Sequence, residues 1–412
     1  HHTRTLFGSY PHRTMVYHFE NDRPIGTTYV IRIETPHPVD ALELVGDVIH
    51  LKAHVEDNAL GFETRVKIET DGKIEALEGN RFQVSGAQSL TLYHFAHTAY
   101  RNQYPTYRGT DYVAKNNAVQ KAMLDMDFQT VKADHVADHQ GLFGRFSLRL
   151  GDAPESTDFT DVRLKAYKEG AKDLALEALL LQYARYMTIA ASRPGSLPMH
   201  LQGKWNNSTN PPWAADYHTN INLQMAYWPA EVTNLSECHL PLLDYTASLV
   251  APGQVTAKTH FGTRGWTVNT MNNAYGFTAP GWAFPWGFFP GGAGWLAQHH
   301  WEHYAFTMDE DFLRNEAYPV MKEAALFWID YLQENAAGSL VSIPSYSPEH
   351  GGISAGASMD HQIAWDLLDN CVEAAAILGI EDEFSQAALR VRDQISKPTV
   401  GRWGQLQEWI ED

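Results

Sequence analysis

A glutamate, a histidine and two asparagines stand out in this chain as residues able to do chemistry. Glu349 follows a proline in Ser345-Tyr346-Ser347-Pro348-Glu349-His350, a stretch with few other charges. A carboxyl there, partly withdrawn from water, would keep its proton near neutral pH and could give it to a departing oxygen. A turn or helix-capping glutamate fits the same residues equally well. His218-x-Asn220-x-Asn222 has period-two spacing, which sets three side chains on one side of an extended backbone. Neutral amides so placed could orient a water or grip hydroxyls without adding charge; a run of Asx turns explains the pattern as well. His299 and His303 share a face of a predicted helix, but Glu302 directly precedes His303, so the His-Glu-x-x-His order of zinc proteases is absent. A packed or substrate-facing pair is expected, with no metal.

Other chemistries lose their support. No glycine-rich phosphate loop follows a strand. A net charge of −18 opposes binding to nucleic acid or to anionic membrane surfaces and suits an enzyme with a neutral substrate. No apolar run approaches the ~18–20 residues of a membrane span. Cys238 and Cys371 are too few for a disulfide framework or a thiolate zinc site. The chain has 12 Trp, 19 Tyr and 18 Phe, many of them crowded into 205–304, where flat apolar rings could stack on sugars or fill a core.

The elements that must hold these residues change character along the chain, and 412 residues suffice for two or three domains. Residues 1–150 alternate in short segments such as Thr28–Ile33 and Ser89–Phe95, separated by turn signals, which predicts a β-sandwich. A helix is expected near 111–124 and a last strand over Gly141–Leu150. A polar linker, 152–158, then leads into helices near 170–192, 240–258, 292–307, 315–335, 358–378 and 381–396. In the first of these, Leu176, Leu179, Leu180, Tyr183, Met187 and Ala190 make an apolar face. Long Gly-, Pro-, Trp- and Asn-rich connections at 193–239 and 261–291 carry the chemistry, as ordered long loops usually do. Helix after helix with loaded loops suggests an α/α toroid or a solenoid, and the absence of a visible repeat of 20–50 residues favours the toroid.

Ordered blocks in the second half carry a resemblance. Ser192-Arg193-Pro194-Gly195-Ser196-Leu197-Pro198, Leu201-Gln202-Gly203-x-Trp205-Asn206, Asp216 to Met225, Tyr227-Trp228-Pro229-Ala230-Glu231, Trp301-Glu302-His303-Tyr304, Ser347-Pro348-Glu349-His350 and Met359-Asp360-x-Gln362 resemble glycoside hydrolase family 95 in the family's order. The match extends over about 135–412 and is looser before it.

The resemblance implies an α+β multidomain protein: an N-terminal antiparallel β-sandwich (1–150, partial), a helical linker (151–192), and an incomplete (α/α)6 barrel (193–412). It implies an inverting α-L-fucosidase that needs no metal or other cofactor and acts on terminal, typically α-1,2-linked fucose of oligosaccharides. L-Galactosides are the alternative substrate and a catalytically incomplete carbohydrate-binding fragment the alternative role. Glu349 would be the general acid, with Asn220 and Asn222 holding the attacking water. His218 goes with L-fucose, where threonine goes with L-galactose. Trp205, Asn206, Trp301 and His303 are expected substrate contacts. The family's later Gln-Ile-Asp-Gly-Asn-Phe-type block is absent, and the chain opens His1-His2-Thr3 without methionine. Both features are read here as marks of a fragment, expected to have little hydrolase activity alone, and the compartment stays open.

Overall fold

The computed structural model describes residues 1–152, 156–284 and 286–411. The chain divides into two units, His1–Gly144 and Arg145–Asp412. In the first, strands β1 (His2–Ser9), β2 (Thr14–Asn21), β3 (Thr27–Arg32), β4 (Val39–Val45), β5 (Val48–His54), β6 (Gly61–Thr70), β7 (Lys73–Ala76), β8 (Arg81–Ala87) and β9 (Ser89–Thr98) form two antiparallel sheets. The larger has six strands in the order β1-β2-β9-β6-β5-β4; the smaller is β3-β8-β7. Ile49, Val66 and Ile68 of the larger sheet meet Phe82 and Val84 of the smaller, forming a sandwich core. Alternation along each strand leaves a second apolar face on the larger sheet. There Val16 and Tyr93 pack on Met123, Phe128 and Val131, carried by α1 (Tyr112–Ala122) and α2 (Phe128–Phe143) or their flanks.

α1 lies inside the helical stretch expected near 111–124, but the strand expected over Gly141–Leu150 does not form. α2 occupies its first residues, nucleated by Asp127, whose carboxylate accepts the Thr130 N–H at 2.8 Å. Beyond Gly144 the alternating residues find no strand to pair with. Instead the Phe146 carbonyl accepts from Gln182 Nε2 at 3.2 Å and Arg185 Nη1 at 3.4 Å. Residues 153–155 of the expected polar linker lie outside the described residues.

The second unit contains α3 (Thr160–Lys168), α4 (Leu174–Ala191), β10 (Tyr217–His218), α5 (Asn222–Tyr227), α6 (Pro229–Val232), α7 (Ser236–Ser248), α8 (Val250–Thr256) and β11 (Met271–Asn272). It continues with α9 (Gly292–Thr307), α10 (Glu310–Phe312), α11 (Tyr318–Tyr331), β12 (Leu332–Glu334), β13 (Leu340–Ser342), α12 (Ser358–Leu378) and α13 (Glu383–Gln394). α9, α11 and α12 pack on one another around fully buried Trp328, Leu296, Met321, Leu367 and Leu368. The protein is therefore α+β, with a sheet unit followed by a helical one. Of the apolar face expected on α4 only Leu176 is fully buried: Arg185, Thr188, Ile189 and Ala191 point inward with it, while Leu179, Leu180 and Tyr183 are exposed. The inward face is set by what it meets, since the Arg185 guanidinium lies 5.1 Å from the Phe146 ring centre and donates to that residue's carbonyl.

Candidate active site

His218 is delivered by a very short ladder. β10 pairs antiparallel with β11, Tyr217 opposite Asn272 and His218 opposite Met271, and the Thr219 N–H donates to the Thr270 carbonyl at 2.9 Å. His218 and Asn220 are buried. His218 Nε2 lies 2.9 Å from Asp216 Oδ1, but off the line a hydrogen bond needs. Neither atom has a protein hydrogen-bond partner, nor do Asn220 Oδ1 and Asn272 Oδ1. Buried polar atoms are almost always paired, so the unpaired His218 Nε2 and Asp216 Oδ1 suit a water or a hydroxyl-rich ligand, while Asn272, opposite Tyr217 in the ladder, belongs to the other face. The alternation expected over 218–222 breaks at Ile221 (φ −179°, ψ −41°), where α5 begins. Asn222 consequently ends up exposed. A cavity of about 270 Å³ is lined by His218 and Asn222 with Met199, His200, Tyr217 and Met225; Asn220 is not among its lining residues.

Glu349 stands on the loop between β13 and α12. Ser345 and Ser354 close the neck of this loop by exchanging N–H···O bonds of 2.8 Å in both directions. Below the neck, the Ser345 hydroxyl donates to Asp360 Oδ2 at 2.6 Å and accepts the Ala357 N–H at 2.9 Å. The Tyr331 hydroxyl donates to the adjacent Pro344 carbonyl. Asp360 is fully buried, and burial pushes its carboxyl up to about 6. Glu349 itself is exposed, as are His350, Gly351 and Gly352. The partial burial expected of this carboxyl is therefore not found, because packing extends through Tyr346 and Ser347 but ends before Glu349. Behind the tip, the His350 ring stacks on Trp409 with centroids 6.1 Å apart. Gly351 has φ +78°, and a Cβ there would come within 2.9 Å of the same indole, so glycine is required on both counts.

One aromatic segment touches both places. The Trp282 ring stands edge-on to His218, with centroids 6.2 Å apart and planes at 88°. Phe284 packs on Tyr346 at 5.2 Å. Burial, and then the nearby charge of Glu349, push the Tyr346 hydroxyl up. Trp282 and Phe284 lie in the 261–291 connection expected to carry chemistry, although neither was named as a substrate contact.

The remaining expected contacts divide. Trp205 is exposed and folds over Gly203. Asn206 is exposed and closes a turn, with Oδ1 accepting the Ser208 N–H at 3.0 Å and Nδ2 donating to the Ser208 carbonyl at 2.8 Å. Trp301 packs on Tyr304 at 5.4 Å along α9. His303 is buried and turned toward Glu231.

That glutamate organises a buried polar network which sequence reasoning missed. Glu231 Oε1 lies 2.7 Å from His239 Nδ1 and 2.6 Å from His303 Nδ1, and Oε2 accepts from the Ser236 hydroxyl. A carboxylate only accepts, so both Nδ1 atoms must carry protons. Burial holds His239 below the usual histidine range, and a neutral ring leaves its Nε2 to accept from His299 Nδ1 at 2.9 Å. Burial alone would raise the Glu231 carboxyl, but donation from His239, His303 and Ser236 outweighs it and brings the carboxyl to about 2. Glu231, His239 and His303 each offer an atom within 4.8 Å of the others, as metal ligands would. Tetrahedral zinc ligands at ~2.0–2.1 Å from the ion stand roughly 3.3 Å apart; the contacts here are at hydrogen-bond distance. The trio would hold an ion only if both rings swung away from the carboxylate.

Residues 127–412 match the Glycosyl hydrolase family 95 catalytic domain. The chain belongs to glycoside hydrolase family 95. Within this family 95 chain, residues 1–103 also match the N-terminal domain of Glycosyl hydrolase family 65. It is 36% identical over 296 residues to "Probable alpha-fucosidase A" of Aspergillus niger, covering 69% of this chain and 37% of that protein. It is 32% identical over 370 residues to "Alpha-L-fucosidase 2" of Arabidopsis thaliana, covering 84% of this chain and 43% of that protein. The chain thus spans about two fifths of the length of these relatives. Among solved structures, one described as "Putative kojibiose phosphorylase from human microbiome" superposes with a TM-score of 0.70 over 99% of this chain and 55% of that one, at 9% identity. That likeness is one of fold: a sheet unit followed by a helical unit of the (α/α)6 type.

Proposed function

We propose that this chain carries the proton-donor side of an inverting glycoside hydrolase that releases terminal α-L-fucose, α-1,2-linked, from oligosaccharides. The reading is carried by one juxtaposition. The unpaired polar pair of Asp216 and His218 is joined to the Glu349 loop through Trp282, Phe284 and Tyr346. Glu349 protonates the departing oxygen. Asn220, and Asn222 at the mouth of the adjoining cavity, hold the water that attacks the opposite face of the sugar. In inverting enzymes the two catalytic carboxyl groups stand roughly 6.5–9.5 Å apart to admit that water; no residue of this chain is assigned the base. His218 crowds the carbon that bears a methyl in fucose and a hydroxymethyl in L-galactose, which favours the fucoside. Trp282 offers an apolar face to the sugar beyond the cleaved bond.

The test is turnover of 2′-fucosyllactose by the native protein carrying this sequence, compared with its Glu349→Gln, Asn220→Ala and Asn222→Ala variants. Losses of 10²-fold or more in kcat for Glu349→Gln support the acid role; unchanged turnover removes it. The exposure of Glu349 favours one second reading, a carbohydrate-binding role without catalysis. Calorimetric binding of 2′-fucosyllactose with no release of fucose would support it, and the p-nitrophenyl α-L-galactoside tests the other substrate.

A further inference from the structure

Asp360 is a buried acid that the proposed mechanism does not use, in a block whose residues have no assigned task. It sits in the first turn of α12, fully buried, with Oδ1 lacking any protein partner and Oδ2 holding the Ser345 hydroxyl at 2.6 Å. Ser345 is one half of the neck that closes the Glu349 loop, paired both ways with Ser354. The same hydroxyl accepts the Ala357 N–H, where α12 begins. His361 Nε2 accepts the Ser342 N–H at 3.3 Å, and Tyr331 holds Pro344. The strand entering the loop is therefore gripped at successive residues, and Asp360 supplies the charged grip nearest Glu349. Beyond the neck Tyr346 and Ser347 are still buried and His350 stacks on Trp409; only from Glu349 onward is the tip open to solvent, so the direction of Glu349 depends on how this stem is held.

We propose that Asp360 is a positioning residue for the proton donor: through Ser345 it sets the neck from which Glu349 projects. The inference rests on the reading of Glu349 as the general acid. A group that positions an acid matters where the leaving oxygen needs a proton and hardly at all where it does not. Hydrolysis of 2′-fucosyllactose needs one, because the galactose alkoxide is a poor leaving group. Hydrolysis of α-L-fucosyl fluoride does not, because fluoride departs as the anion.

The experiment measures kcat and KM on both substrates for the native protein and its Asp360→Ala, Asp360→Asn, Ser345→Ala and Glu349→Ala variants, with thermal unfolding in parallel. Expected for Asp360→Ala is a loss in kcat on the order of 10²-fold on 2′-fucosyllactose. On the fluoride the loss stays within about threefold, and KM changes little on either substrate, since the grip acts on the transition state rather than on binding. Asp360→Asn, which keeps an oxygen for Ser345, recovers most of the loss, and Ser345→Ala reproduces it. Equal losses on both substrates, or no loss, would overturn the proposal. If Asp360→Ala does not fold, Ser345→Ala and Asp360→Asn decide on the same criterion. Glu349→Ala separates the two ideas. If it too is indifferent to the leaving group, the acid assignment fails; if it discriminates and the Asp360 and Ser345 variants do not, only the positioning role fails.

Discussion

Replacing Glu231 by glutamine tests whether the buried His239–Glu231–His303 network is held by an ionised carboxylate. The side chain is 1% exposed, and its carboxyl is brought from the ordinary 4.5 to about 2. At about 1.4 kcal/mol per pH unit, the ionised form contributes about 3 kcal/mol of stability at neutral pH. The pairing geometry gives a similar figure, since breaking a buried charge from its partners costs about 3–5 kcal/mol. Glutamine keeps the shape and one acceptor oxygen but loses the charge, so Glu231→Gln is expected to cost about 3 kcal/mol at pH 7. The sign follows from a depressed folded-state value. The contribution is complete above 4.5 and is lost as pH falls toward about 2, so at pH 3 the deficit should shrink to roughly half. Urea unfolding followed by tryptophan fluorescence at pH 7, 4 and 3 measures it. A deficit below about 0.5 kcal/mol at pH 7, typical of a surface change, or one that stays constant down to pH 3, would refute the reasoning.

Other expectations follow from the site. His218→Thr should move the ratio of kcat/KM for the p-nitrophenyl α-L-fucoside over the L-galactoside toward the galactoside by about tenfold, the scale of a small steric difference in a pocket; an unchanged ratio would remove His218 from sugar selection. Trp282→Ala should raise KM for 2′-fucosyllactose by about two- to tenfold while leaving kcat near native, as loss of about 0.5–1.5 kcal/mol of ring contact implies. Equal effects on p-nitrophenyl fucoside and the trisaccharide would argue against contact beyond the cleaved bond. Asn206→Ala should leave kcat within about twofold, because its amide closes its own turn; a loss of 10²-fold would show that it reaches substrate.

Much of the scaffold could be read in the sequence wherever local pattern and burial agree. α9 and α12 occupy the predicted ranges 292–307 and 358–378, and the alternating segments around Thr14, Thr28 and Ser89 are strands. α4 shows why composition alone misleads: its leucines promised one inward face, yet Arg185 is buried because Phe146 waits for it, and Thr188 is buried with its hydroxyl donating to the Ala184 carbonyl of its own helix. The two-residue strands β10 and β11 pair Tyr217 with Asn272, 55 positions later, a contact that no local window contains. The same non-locality hid the network, in which His303 meets Glu231 across 72 residues. His218, Asn220, Asn222 and Glu349 were visible as residue types, but their exposure was not. Turn geometry at Ile221 and the limit of packing just after Ser347 decided it.

The central claim is that Glu349 is the acid of an inverting fucosidase. Proton NMR of 2′-fucosyllactose mixed with the native protein shows the anomer of fucose at the moment of release, before mutarotation. The account predicts that β-L-fucose appears first and that Glu349→Gln removes the signal. First appearance of α-L-fucose, or undiminished release by Glu349→Gln, would contradict it.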